Sequence, residues 1–253
     1  MNSSDESNIL TITDLKPGEQ IDDLQTGGFR IIQKRKGFRF GTDSVLLADF
    51  AFVKAKARVA DFGSGCGIIS VLLCAHRKDI TVSALEIQSE LAEMSQRSVL
   101  LNSLQNRIRV VNGDVKNALK LIGGSFDCVV CNPPYYSQTE YIPSSDESAV
   151  IARSDFLLTP DEMCASAFKV LKTGGRLNTV FPAAKMHEML YAMKDSRLAP
   201  KRIRTVHETA AHAPSLVLID AVKQGGAGLK WLPPLILSNA DGSRTDEWKR
   251  IYG

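Results

Sequence analysis

The segment Val59-Ala-Asp61-Phe62-Gly63-Ser64-Gly65-Cys66-Gly67, running straight into the apolar stretch Ile68 to Ala75, constrains the fold of this chain more than any other feature. The first residues read as a strand, the three glycines as a tight turn, and the stretch that follows as a helix. A strand that turns into a helix needs a second, parallel strand to return to, because a parallel pair requires a crossover. The rest of the chain supplies that alternation. Thr81 to Leu85 is a second strand, ending at Glu86, and Ser89 to Asn102 a second helix with Leu91, Met94 and Leu101 on one face. Strands follow at Ile108–Val111 and Phe126–Val130, then a helix opened by Thr159-Pro-Asp161 and stopped by Lys172-Thr-Gly-Gly175. Arg176 to Phe181, Ile203 to Val206 and Leu216 to Val222 read as three later strands, with a helix near Ala183 to Lys194 between the first two. This is an α/β chain with a doubly wound, mostly parallel sheet.

Two terminal parts flank that pattern. Residues 21 to 40 read as a hairpin around Thr26-Gly-Gly28, leading into a helix that starts at Thr42-Asp43 and carries Val45, Leu46, Leu47 and Phe50 on its apolar face. Beyond Gly225 an extended strand, a turn and a short terminal helix are expected. The expected division is residues 1–52 as hairpin and capping helix, 53–225 as the main domain, and 226–253 as an appendage packed on it. Residues 137–155 are polar, long and without period, the mark of a functional or mobile loop.

Composition excludes whole classes of protein. With 253 residues, 44% of them hydrophobic and 23% charged, bulk disorder and fibrous repeats are ruled out. No apolar run approaches the ~20 residues of a membrane span. The start, Met1-Asn-Ser-Ser-Asp-Glu-Ser7, is unlike a signal peptide. Five cysteines, an odd number, suit a reducing compartment. A cytoplasmic location, no membrane partner and a monomer are expected.

Four features bear on chemistry. The turn Asp61 to Gly67 has G-x-G-x-G spacing; a dinucleotide fingerprint would want Gly or Ala where Ile68 stands, which counts against a plain nicotinamide site. Glu86 lies 21 residues after Gly65 at the end of the next strand, placed either to accept from a ribose diol or simply to face solvent. Asp114, just past the following strand, is either a helix cap or an acceptor for an adenine amino group. Asn132-Pro133-Pro134-Tyr135 follows the strand Phe126 to Cys131 directly, at the carboxyl edge where open parallel sheets bind ligands. An amide or base amino nitrogen is a poor nucleophile because its lone pair is delocalised. Acceptors at the Asn132 side-chain oxygen and the Pro133 carbonyl would favour the more tetrahedral, reactive nitrogen, and most strongly so in the transition state. The Tyr135 ring could stack on a planar acceptor, a contact worth roughly 1–3 kcal/mol for a base. The alternative is a rigid Pro-Pro turn with a surface tyrosine. Cys128 and Cys131 have C-x-x-C spacing but lie within one strand, where they should point to opposite faces, and the four histidines are scattered. No metal site is expected.

In this order along the chain, Asp61 to Gly67, Glu86, Asp114 and Asn132 to Tyr135 resemble the S-adenosylmethionine-dependent amino-methyltransferases. The phrase Gly37-Phe-Arg-Phe-Gly41-Thr-Asp43-Ser-Val-Leu-Leu47, with Asn132-Pro-Pro-Tyr-Tyr136, narrows the likeness to the bacterial adenine-N6 methyltransferases that modify valine tRNA next to the anticodon. The resemblance implies a seven-stranded sheet with its last strand antiparallel, and a helix near Thr42 that closes the cofactor pocket. It also implies S-adenosyl-L-methionine as cofactor, held by Thr42, Asp43, Asp61, Gly63, Gly65, Gly67, Glu86, Asp114 and Asn132, and tRNA as partner.

For RNA, the basic residues Arg30, Lys34, Arg35, Lys36 and Arg39, interleaved with Phe29, Phe38 and Phe40, suit phosphate contact, as do Lys201, Arg202 and Arg204. The competing reading is a solvated hairpin whose phenylalanines enter the core. Competing functions are a glutamine-amide methyltransferase acting on a release factor, guanine-N2 transfer, and a non-catalytic RNA-binding protein with a vestigial cofactor pocket.

Overall fold

Short apolar runs become strands and amphipathic stretches become helices in the order the alternation requires. The computed structural model describes residues 15–35, 41–134 and 158–252. A two-stranded hairpin, β1 (Glu19–Asp23) and β2 (Arg30–Lys34), precedes α1 (Thr42–Phe50). The alternating body then runs β3 (Arg58–Phe62), α2 (Ile68–His76), β4 (Thr81–Glu86), α3 (Ser89–Leu101), β5 (Ile108–Asn112), α4 (Ala118–Ile122) and β6 (Phe126–Cys131). From residue 158 onward come α5 (Pro160–Val170), β7 (Leu171–Pro182), α6 (Met186–Asp195), β8 (Leu198–His207) and β9 (Leu216–Lys223). Two short strands, β10 (Lys230–Trp231) and β11 (Leu235–Ile236), and α7 (Asp246–Tyr252) complete the order.

The sheet is ordered β5-β4-β3-β6-β7-β9-β8-β10, with β11 also on β8. The strands β3 to β7 are parallel, and β9 runs antiparallel between β7 and β8. The seven long strands match the expected sheet, and the tail adds two residues of β10 and two of β11 at its far edge.

Each face of the sheet carries its own core. On one, Val59, Val82 and Val130 pack with α1, α2, α3, the hairpin residues Ile31 and Ile32, and Ile251 of α7. On the other, Phe62, Leu85 and Val129 pack with α4, α5 and α6. Cys128 belongs to the first core and Cys131 to the second, so the C-x-x-C pair diverges as the strand period dictates.

Two local signals, the helix start at Thr159 and the hairpin turn, fold as read. The Thr159 hydroxyl and the Glu162 side chain form a reciprocal capping box at the start of α5. The hairpin turns at Gly27 and Gly28, both at positive φ. The hairpin is sewn to α3: the Arg30 N–H donates to Asn102 Oδ1 at 2.8 Å and the Ile32 N–H to Ser98 Oγ at 3.0 Å. Arg97 of α3 donates through Nη1 to Glu19 Oε2 at 2.7 Å, and both residues are buried. That pair holds the Glu19 carboxyl below its ordinary range. Among the described residues no helix is long and apolar enough to cross a membrane.

Candidate active site

Parallel pairing brings three loops to one height at the carboxyl edge. Phe62 of β3 is in register with Leu85 on one side and Cys131 on the other. The residues that follow each of these, Gly63, Glu86 and Asn132, therefore emerge side by side. At the usual strand spacing, Glu86 and Asn132 flank the glycine turn about 10 Å apart.

The turn is built onto β4. The N–H groups of Gly63 and Ser64 donate to the Leu85 carbonyl at 2.8 and 3.1 Å. The Gly65 N–H donates to Glu86 Oε2 at 2.8 Å, and the Gln88 N–H to Glu86 Oε1 at 2.9 Å. Asn112 of β5 donates from Nδ2 to the Glu86 carbonyl at 2.8 Å, tying the third strand to the same point. Glycine is required at Gly67, whose φ is +92° and where a Cβ would stand 2.5 Å from Ser95 Oγ. At Gly63, also at positive φ, a Cβ would meet nothing within 4 Å; the turn is open there.

Two carboxyls are buried under the turn. Asp61 Oδ2 accepts from the Ser70 hydroxyl at 2.7 Å, while its Oδ1 is buried with no hydrogen-bond partner. Burial pushes the Asp61 carboxyl up to about 7. Burial also raises Glu86, against the opposing effect of the N–H groups of Gln88 and Gly65. The hydroxyl of Ser64, on the turn itself, is likewise buried without a partner. Unmet acceptors and a hydroxyl beside an open glycine fit a ligand that presents amino and hydroxyl donors, as S-adenosylmethionine does.

Asn132 is half-buried, Pro133 buried and Pro134 exposed. Asn132 Nδ2 donates to Ser44 Oγ at 3.0 Å, so α1 reaches the acceptor side of the site. Thr42 and Asp43 occupy the first turn of the same helix, Thr42 exposed and Asp43 half-buried. Ser44 is the site residue that sequence reasoning missed; its signal was its place next to Asp43 in the Thr-Asp-Ser phrase. Asp114 caps the 3-10 turn Val115–Asn117, its Oδ1 accepting from the Lys116 N–H at 2.8 Å.

The basic residues do not gather in one place. Lys34 pairs with Glu90 of α3 at 2.7 Å, and Arg35 Nε donates to the Glu19 carbonyl at 3.2 Å. Phe29 packs against the core. Lys201, Arg202 and Arg204 lie on β8, in the other half of the sheet, each half-buried and each hydrogen-bonded to its own chain. Lys201 Nζ donates to the carbonyls of Gly226, Ala227 and Gly228. Arg202 Nε donates to Asp220 Oδ2 at 2.8 Å and its Nη2 to the Phe50 carbonyl at 3.1 Å. Arg204 binds both oxygens of Glu247 and the Pro233 carbonyl. Asp220 is fully buried and also accepts from Arg176, so Arg202 balances a charge that has no water. Lys36, Phe38, Arg39, Phe40, Tyr135 and the 137–155 loop lie outside the described residues.

Comparison with known proteins agrees with this geometry. The chain is 25% identical over 192 residues to a tRNA1(Val) (adenine(37)-N6)-methyltransferase of Tolumonas auensis, covering 76% of this chain and 79% of that one. An enzyme of the same name from Porphyromonas gingivalis is 26% identical over 233 residues, covering 88% and 90%. Among solved structures, a predicted O-methyltransferase from Agrobacterium tumefaciens superposes with a TM-score of 0.68 at 21% identity, covering 83% of this chain and 95% of that one. TrmN from Thermus thermophilus superposes with a TM-score of 0.53 at 16% identity, covering 71% and 48%. These two share the fold. The family model described as "Methyltransferase small domain" matches residues 38–199. With the glycine turn, Glu86 and Asn132 all inside that span, the chain belongs to the methyltransferase small domain family.

Proposed function

We propose that this protein transfers a methyl group from S-adenosyl-L-methionine to the exocyclic N6 amino group of an adenine in tRNA, with valine tRNA near the anticodon as the first substrate to test and the cytoplasm as its place of work. The observation that carries this reading is Asn132, set at the carboxyl edge of β6 with its amide nitrogen bonded to Ser44, one strand away from the glycine turn. The relatives' names support the choice of adenine and of tRNA.

When bound, the cofactor supplies a methyl group made electrophilic by its sulfonium. Glu86 is assigned to the ribose hydroxyls, the buried Asp61 and Ser64 to the ligand's own donors and acceptors, and Gly63, Gly65 and Gly67 to close backbone approach. Thr42 and Asp43 on α1, and Asp114 beyond β5, complete the set. The Asn132 side-chain oxygen and the Pro133 carbonyl accept from the adenine N–H groups, which favours a pyramidal nitrogen with a usable lone pair. Tyr135 is assigned to stacking on the base. An adenine within a folded RNA must be turned outward, at a cost of a few kcal/mol, about what one stacking contact returns. Affinity must therefore come from phosphates, and Arg30, Lys34, Arg35, Lys36 and Arg39 are assigned to them.

The test is incubation of the full chain with labelled S-adenosylmethionine and total tRNA, followed by nucleoside analysis. N6-methyladenosine in valine tRNA is expected. In a parallel reaction with a release factor in place of tRNA, label on its glutamine, with none in RNA in the first, would overturn the reading.

A further inference from the structure

We propose that Ser44 is a positioning residue for methyl transfer, holding the Asn132 amide in the orientation from which its oxygen accepts from the acceptor amine. The proposal rests on the role given to Asn132 above. Ser44 and Asn132 are 88 residues apart in sequence and meet through a 3.0 Å bond from Nδ2 to Oγ. Ser44 is buried.

The contact acts on the part of Asn132 that its backbone does not fix. Its backbone is already set, since it leaves β6 and precedes Pro133, and a residue before proline is confined to extended conformations. Its terminal torsion is not. The χ2 of asparagine is broad and roughly two-fold, so backbone geometry alone does not choose which end of the amide faces the substrate. The ends are chemically opposite: the oxygen accepts and the NH2 donates. An exchanged amide would present N–H to the substrate's own N–H and lose the interaction that makes the nitrogen reactive. A serine hydroxyl can donate or accept, so it does not choose the sense alone; the amine does. When the amide oxygen accepts a hydrogen bond from the amine N–H, Ser44 Oγ accepts one from the amide nitrogen, and the plane is held at both ends. The contact also ties α1, which carries Thr42 and Asp43, to the acceptor side of the pocket.

The experiment compares Ser44→Ala and Ser44→Thr with the wild-type full chain. Ser44→Ala should lower kcat about tenfold, the loss of one hydrogen bond used in the transition state, with KM for tRNA and affinity for S-adenosylhomocysteine held within about twofold. Ser44→Thr keeps a hydroxyl and should recover most of kcat. In parallel, nitrogen-15 NMR of asparagine-labelled protein bound to S-adenosylhomocysteine should show the Asn132 side-chain pair shifted in Ser44→Ala and near wild-type in Ser44→Thr. Wild-type kcat in Ser44→Ala, or equal loss in both variants, would overturn the positioning role. If the wild-type protein methylates no RNA, the functional reading fails by itself. The NMR arm then decides the contact: an Asn132 pair unmoved by Ser44→Ala refutes it, and a shifted pair restored by Ser44→Thr upholds it.

Discussion

The Gly65 amide donates to Glu86 Oε2 at 2.8 Å, joining the glycine turn of one strand to the carboxylate that ends the next. The second oxygen of the same carboxylate takes the Gln88 N–H. Glu86 thus shapes the turn from within before any ligand arrives, and its remaining lone pairs are those a ribose diol would use.

Glu86→Ala should therefore do two things. Affinity for S-adenosylhomocysteine should fall about ten- to a hundredfold, the loss expected for a charge-assisted bond. Thermal stability should fall too, because two backbone donors lose their acceptor. Calorimetric titration and a melting curve on the same sample separate the effects. A mutant that melts lower yet binds as well as wild type would leave Glu86 a purely structural role.

Gly67→Ala should destabilise the fold by about 1–3 kcal/mol, from left-handed backbone strain and contact with Ser95. Adding Ser95→Ala removes the nearest clashing atom and should return part of that loss, but not the part due to backbone. Urea unfolding of the single and double mutants measures the split.

Asp61 makes stability depend on pH in an unusual direction. An aspartate in an unfolded chain titrates near 3.9, whereas burial lifts Asp61 to about 7. Between those values the folded protein keeps a proton that the unfolded chain has lost. The contribution is fully present below the unfolded value and is lost as pH rises through about 7. The raised Glu86 adds a slope of the same sign. Asp61→Asn, which can still meet Ser70, should flatten the fall in melting temperature between about pH 5 and pH 7.5. An equal fall in mutant and wild type would contradict this.

The two basic groups should respond oppositely to mutation. Arg202→Ala leaves Asp220 compensated by Arg176 alone and should cost about 1.5–3 kcal/mol of stability, the worth of one hydrogen bond to a charged group; at temperatures where it stays folded, tRNA affinity should hold. Reversal of Lys34, Arg35 and Lys36 to Glu together should abolish tRNA binding while cofactor affinity survives. Wild-type binding should weaken steeply with salt. Filter binding over a salt series tests all three, and salt-insensitive binding by the triple mutant would remove RNA contact from this segment.

What could be read from the sequence was local. The glycine turn, Glu86 at a strand end and the helix opening at Thr159-Pro-Asp161 each declare themselves within a few residues, because the backbone demands those residue types there. Long-range pairings leave no such trace. Nothing in the serine after Asp43 announces an asparagine 88 residues on. Nothing in the cationic run at Lys201 shows that Asp220 and three carbonyls already claim it. One short element escaped: α4 has five residues, too few to show a period, while the one extended strand expected in the tail is two strands of two residues each. The start of β8 was hidden by Pro200, which is tolerated because that stretch pairs with β9 alone and a bulge follows at Lys201.

The antiparallel insertion of β9 between β7 and β8 has a consequence for how the chain is born. Emerging from a ribosome, β3 to β7 can zip together as they appear, each finding its neighbour already made. The strand β8 cannot, since its bridge to the sheet is synthesised after it. Arg176 and Arg202 wait unneutralised until residue 220 arrives between them, and only then does β8 lock onto the sheet. A nascent chain halted before Leu216 would thus carry the glycine turn, Glu86 and Asn132 on a sheet whose last third had nowhere to dock.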